Sequence, residues 1–510
     1  MALLAPMSGG YTRRSFLTGA MAAVGTAAVA EAPLTSIRPM PRADAGVVVP
    51  PARPTITAPA VDDLVKQANL NGKIGFVVSD AKTGLILEQR NAAVAMPPAS
   101  VAKSVTALYA FDSLGLDHVF ETRLFATGGI KDGKVQGDLI LAGGGDPTLD
   151  TNALAGMAQK LKALGVTGIT GAFQVYAGAL PYVKSIDPSQ PDHLGYNPAV
   201  SGLNLNFNRV HFQWTRSDSG YTVEMDARSD RYRPRVTTAS MKVVDRDLPV
   251  YTYVSGTTGI DEWTVAKGAL GNGGSRWLPV RRPDLYAGEV FQALARVHGV
   301  TLPTATVRDA APTGTAIVSH ASQDLSTIVR DMLLYSTNIT AEAVGLAATR
   351  ARGVPVTSLA DSGAAMSDWM RASMGASAAA FTDHSGLSDT GVVSTQDMVR
   401  MLQTAKPGGV LHQHLKEVAV KDDEGKYNEH AAHSIFAKTG TLNFVSTLAG
   451  YVTAADGNVL CFAIFTNDMD RRAALTRAER ERPDGGRGWA GRSRWLQQQL
   501  INRWMTVYGV

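Results

Sequence analysis

The prolines at 97 and 98, set directly before an unbroken helical run, constrain the fold of this 510-residue chain more than any other feature. Proline fixes φ and donates no N–H, so the preceding segment ends there and a helix opens on the residues that follow. From residue 100 to 114, Val101, Val105, Leu108 and Ala110 keep roughly helical spacing, with no glycine or proline before Gly115. Ser100 and Lys103 therefore share one helix face, a turn apart and within reach of each other. A serine hydroxyl becomes a nucleophile when a base takes its proton, and a lysine is such a base when burial and positive neighbours keep it neutral. A serine at a helix start also has free backbone N–H groups near the place where an oxyanion would form.

Ser-x-x-Lys alone is weak, because chance supplies it about once in a chain this long. The sequence contains its own control. Ser79 and Lys82 have the same spacing and run into Lys82-Thr83-Gly84, but they lie between the β-rich runs 74–78 and 85–87. That copy reads as a hairpin turn.

Two further motifs follow Ser100 in order. Tyr335-Ser336-Thr337-Asn338 falls at a break between helical runs at 324–334 and 339–349, and Lys438-Thr439-Gly440-Thr441 enters a sheet formed by runs at 447–452 and 459–465. For Ser336 and Asn338, helix capping is the competing reading.

The chain reads as α+β and multidomain. An export signal covers 1–30 and a Pro/Ala-rich linker 31–57. A catalytic part covers 58–125 and 283–510, with helices packed on an antiparallel sheet, and a mainly β inserted module occupies 126–282. The module is read from short alternating strands at 171–177, 203–214, 221–226, 250–254 and 263–268, and the return from a helix at 283–297. A terminal helix at 494–508 carries an apolar face.

At the N-terminus, Thr12-Arg13-Arg14-Ser15-Phe16-Leu17, an apolar run and Ala28-Val29-Ala30 resemble a bacterial twin-arginine signal, with Thr18 where a lysine is common. This predicts a periplasmic, exported protein with no stable membrane span after cleavage. The single cysteine, Cys461, lies in an apolar strand run and reads as core.

Several chemistries are excluded or demoted. A net charge of +4 is too mild to argue for nucleic acid. Residues 143–145 are a glycine run without a phosphate-loop pattern and read as a tight turn. His430 and His433 beside Glu429 lack a helical metal-ligand pattern, and no Gly-x-Ser-x-Gly is present. No metal and no cofactor is expected. The arginines between 471 and 494, interleaved with Glu479, Glu481 and Asp484, read as a solvated, self-paired surface.

Ser-x-x-Lys, Ser-x-Asn and Lys-Thr-Gly, in this order on helix, loop and strand, resemble the signature of serine penicillin-binding proteins and β-lactamases. Residues 98–103, Gly145-Asp146-Pro147-Thr148-Leu149, Leu203-Asn204-Leu205-Asn206, residues 383–388 and Lys438-Thr439-Gly440-Thr441-Leu442, with the long insertion, are similar to the low-molecular-mass class C group, the D-Ala-D-Ala carboxypeptidase/endopeptidase (S13) family. His384, where a smaller residue is expected, and the arginine-rich stretch depart from that pattern.

The resemblance implies a serine β-lactamase/DD-peptidase-like fold that cleaves D-Ala-D-Ala or D-Ala cross-links of peptidoglycan stem peptides and is acylated by β-lactam antibiotics. It implies Ser100 as nucleophile, Lys103 as general base, Ser336 as proton relay and Asn338 as a ligand of the substrate amide. Lys438, Thr439 and Thr441 would hold the terminal carboxylate, and the N–H groups of Ser100 and Thr441 would form the oxyanion hole. A β-lactamase or esterase on the same site, or a non-catalytic wall-binding scaffold, are the alternatives.

Overall fold

The computed structural model describes residues 58–256, 259–422 and 424–509; the export signal and the linker assigned to 1–57 lie outside them. A six-stranded antiparallel sheet organises the catalytic part, in the order Lys416–Glu417, His433–Leu442, Val445–Ala454, Val459–Asn467, Lys73–Asp80 and Ile86–Arg90. The first strands of the described chain thus pair with the last ones. The control copy at Ser79–Lys82 ends a strand in the turn of the first hairpin, where Asp80 accepts hydrogen bonds from the N–H groups of Lys82 and Thr83.

Both faces of the central strands are covered, so these are largely apolar and alternate residues enter different cores. Cys461, Ala463 and Phe465 pack with the helices Ala102–Leu114, Leu325–Tyr335, Leu359–Met374 and Thr395–Ala405. Leu460, Phe462 and Ile464 pack with Val61–Ala68 and the long C-terminal helix Gly486–Tyr508. Burial raises the Cys461 thiol pKa to about 12, consistent with a core residue.

Between the first helix of the sheet's inner face and Leu325–Tyr335, the chain builds a second core. Its five-stranded sheet runs Thr306–Val307, Phe173–Tyr176, Leu139–Ala142, Glu121–Ala126 and Ala316–Ala321, and the same stretch of chain forms three three-stranded sheets. This core includes Leu124, Phe173, Trp263, Tyr286, Phe291 and Val318. The boundaries at 126 and 282 therefore fall inside one packed unit. The helix Pro283–Val297 buries Tyr286, Val290, Phe291 and Leu294 with the inserted strands and not against the catalytic sheet. Its 3.6-residue pattern reveals a helix and an apolar face, but carries no information about which core receives that face.

The strand expected from 203 begins at Arg209, because Asn206, Phe207 and Asn208 all adopt positive φ in a tight turn. The terminal helix starts earlier than its apolar face suggests, at Gly486. Among the described residues, no helix is long and apolar enough to cross a membrane, and no cluster of metal-ligating side chains occurs, His430 and His433 included.

Candidate active site

Ser100 sits in the one-turn 3-10 helix Ala99–Val101 that leads into Ala102–Leu114. Ala99, just before it, is held at φ 45°, a conformation that disfavours side chains and costs on the order of 1–3 kcal/mol. Gly386 is packed against this residue; a Cβ there would lie 1.9 Å from the Ala99 carbonyl oxygen. Gly440 lets the third motif close on the same point, since its Cβ would stand 2.9 Å from Ser100 N and 2.2 Å from Thr447 Oγ1.

Lys103 is fully buried. Its Nζ stands 3.0 Å from Ser100 Oγ and 2.8 Å from both Asn338 Oδ1 and the Ser385 carbonyl oxygen. The last two atoms only accept hydrogen bonds. A neutral amine has two hydrogens and one lone pair, so donation to Asn338 and Ser385 leaves the lone pair facing the serine hydroxyl. Burial, with the charge of Lys438 added, lowers the Lys103 pKa to about 7, while Glu342 and Asp383 oppose that shift.

Ser336 ends the helix Leu325–Tyr335 at φ 59°, and Asn338 opens Asn338–Ala351. Neither side chain caps a helix. Ser336 Oγ accepts from Lys438 Nζ at 3.0 Å, and Asn338 Nδ2 donates to the Tyr196 carbonyl at 2.9 Å. Lys438 also donates to the Thr439 carbonyl at 2.9 Å, and burial lowers its pKa to about 8, with the charge of Lys416 second.

These motifs line a cleft of about 270 Å³ that contains Ser100, Ser336, Asn338 and Thr441. Thr439 is exposed and is not among the residues lining that cleft, while its carbonyl accepts from Lys438. The cleft borders an open sheet edge. Lys416–Glu417 pairs with the motif strand no further than Ala437 on the Lys438 side, so residues 438–442 have no paired outer strand among the described residues.

The arginine-rich segment corrects the solvated-surface reading. It reaches across to the inserted module: Arg477 pairs bidentately with Asp192, Arg480 donates to Ser189 Oγ, and Glu481 meets Arg276 and His193. Arg472 is 1% exposed, bonded to Asp389 and to the Asn443 carbonyl, and with Arg480 and Glu481 it lines the cleft. Charge alternation in sequence looks the same whether the partners are neighbours or lie in another module.

Sequence reasoning misses Glu342 and reads residues 383–388 as a tight turn that supports the site without chemistry of its own. Glu342 and Asp383 are both buried and hydrogen-bonded to the loop whose Ser385 carbonyl meets Lys103. The available signal was one acid in Asn338–Ala351, a helix otherwise apolar or small along its buried face. His384 is also buried; burial lowers its pKa to about 3, so it is neutral, and its Nε2 lies 2.7 Å from Ser362 Oγ. Gly345 makes room for its ring, because a Cβ there would stand 2.1 Å from His384 Cγ.

A helix-covered antiparallel sheet, with a serine–lysine pair at a helix start and a second lysine on the facing strand, is the architecture of the serine β-lactamase/DD-peptidase class. The chain belongs to the D-Ala-D-Ala carboxypeptidase 3 (S13) family, whose profile matches residues 57–482, and is therefore an enzyme of the peptidase type. It is 27% identical over 469 residues to the D-alanyl-D-alanine carboxypeptidase of Actinomadura sp. (strain R39), covering 83% of each chain. It is 25% identical to D-alanyl-D-alanine carboxypeptidase DacB of Haemophilus influenzae, over 84% of this chain and 94% of that one. The crystal structure of penicillin binding protein 4 (dacB) from Haemophilus influenzae is similar in fold, with a TM-score of 0.67 at 21% identity, over 83% of this chain and 98% of that one.

Proposed function

We propose that the chain is an exported serine DD-peptidase that cleaves D-Ala-D-Ala termini or D-Ala cross-links of peptidoglycan stem peptides. The observation that carries this reading is the contact set of Lys103, which leaves its lone pair for the Ser100 proton. Family membership and the carboxypeptidase relatives support the substrate class.

In this mechanism the stem peptide lies along the open edge of the Lys438 strand, as an added β-strand would. The Lys438 ammonium and Thr441 hold the terminal carboxylate, and Asn338 reaches the acyl-side amide. Lys103 takes the Ser100 proton as Oγ attacks the penultimate D-Ala carbonyl, and the negative oxygen is met by the N–H groups of Ser100 and Thr441. The proton passes through Ser336 to the leaving amine, the C–N bond breaks, and an acyl-Ser100 ester remains. Water then attacks that ester with Lys103 again as base, regenerating the serine.

The test is incubation with a fluorescent penicillin, followed by intact mass, with Ser100→Ala in parallel. A lasting adduct on the unaltered protein alone supports the reading, and digestion of monomeric and cross-linked muropeptides then identifies the cleaved bond. Rapid loss of the adduct with hydrolysed drug would replace it with a β-lactamase, and absence of any adduct with a scaffold.

A further inference from the structure

The loop from Asp383 to Ser388 is fastened by two buried carboxyl groups. Glu342 Oε2 accepts the His384 N–H and Oε1 the Ser385 N–H, each at 2.9 Å. Asp383 Oδ1 accepts the Gly386 N–H at 2.7 Å and Oδ2 the Ser388 N–H at 2.8 Å. The carbonyls of the same peptide groups point the other way. The peptide between His384 and Ser385 gives its N–H to Glu342 and its oxygen to Thr106 Oγ1 at 2.7 Å. The next peptide gives its N–H to Asp383 and its oxygen to Lys103 Nζ at 2.8 Å.

Two consecutive peptides thus form a strut between two acids and two residues of the Ser100 helix, Lys103 and Thr106, one turn apart. Hydrogen bonds in such chains polarise one another, so Asp383 strengthens acceptance from Lys103 and Glu342 acceptance from Thr106. Glu342 also stands four residues after Asn338, the other acceptor of the Lys103 amine, on the same helix. Glu342 thus binds the N–H of Ser385 and shares a helix with Asn338, the two residues whose oxygens take the hydrogens of Lys103.

We propose that Glu342 is a positioning residue for acylation: by fixing the N–H groups of His384 and Ser385 it holds the Ser385 carbonyl in place, and with it the Lys103 amine against Ser100. The proposal rests on Lys103 being the general base. The charged or titratable groups around it are Asp383 on the loop, Lys103 on the serine helix with Lys438 beyond it, and Asp187 near Asp383; His384 is neutral. Burial, reinforced by the charge of Asp383, pushes the Glu342 carboxyl well above the usual range, so it is largely uncharged where Lys103 takes up its proton.

The experiment is the second-order rate of penicillin labelling across pH for the full chain, Glu342→Gln and Glu342→Asp, with thermal unfolding of each. Glu342→Gln keeps the shape but faces one backbone N–H with an amide NH2. It is expected to slow labelling roughly tenfold or more with the acid limb in place. Glu342→Asp is too short to bridge both N–H groups, so labelling slows as well. A folded Gln variant that labels at the full rate, or whose acid limb moves as the loss of a charge beside Lys103 would require, would overturn the proposal. If the Gln variant does not fold, an Asp variant labelling at the full rate does the same. Labelling that survives Lys103→Met would instead sink the assignment of Lys103 as base, whatever the Glu342 variants do.

Discussion

Lys438 Nζ lies 3.0 Å from Ser336 Oγ, the same separation that Lys103 Nζ keeps from Ser100 Oγ. Two amine–hydroxyl pairs therefore share one cleft, and burial separates their roles. The pKa falls to about 7 for the fully buried Lys103 and to about 8 for Lys438, so near neutrality about half of the first is free to accept a proton while the second remains mostly charged.

This difference predicts a bell-shaped pH profile for acylation. Below pH about 7, Lys103 takes up a proton and the rate falls; above about 8, Lys438 loses the charge that holds the substrate carboxylate and the rate falls again. Stopped-flow labelling with a chromogenic β-lactam measures both limbs. An acid limb near the ordinary lysine pKa would mean that the amine is a cation at neutral pH and is not the base.

Lys103→Met keeps a similar length and removes the base. Labelling should fall by about 10²- to 10⁴-fold, the range typical of a lost general base. Intact mass after long incubation gives the residual rate, and far-UV circular dichroism confirms the fold.

Arg472 is buried beside the partly buried Asp389. Asp389→Leu should cost about 3 kcal/mol in urea unfolding, because it leaves an uncompensated buried charge. Adding Arg472→Met should recover most of that loss. A double variant as unstable as the single one would show that the charge pair contributes net stability.

Gly345→Ala forces a methyl into the His384 ring and should cost about 1–3 kcal/mol. In Gly345→Ala/His384→Ala the clash disappears, so the combined loss should be smaller than the sum of the two single losses. Additive values would mean that the backbone, and not the ring, receives the strain.

Much of this was legible in advance. The first hairpin, the helix on Ser100, the break at Ser336 and the hairpin-forming strands after Lys438 all follow from local signals: proline stops, helical spacing and alternation. His384 looked out of place because its explanation, Gly345, lies on a helix distant in sequence. The inserted module's extent was misjudged because the strand Ala316–Ala321, which closes its sheet against Glu121–Ala126, gives no local sign of its distant partner. Glu342 was missed because one acid on an apolar helix has no meaning until the backbone groups that bind it are in place.

Local signals fix most of the elements and the order in which Ser100, Lys103, Ser336, Asn338 and Lys438 occur, because helix starts, turns and strand patterns are set within a few residues. The state of the site is set by contacts between distant segments. Whether Lys103 is neutral depends on burial, on the charge of Lys438, and on acceptors contributed by Asn338 and Ser385. Desolvation and hydrogen bonding act through space at contact distance, and the residues that meet there lie up to hundreds of positions apart in the chain.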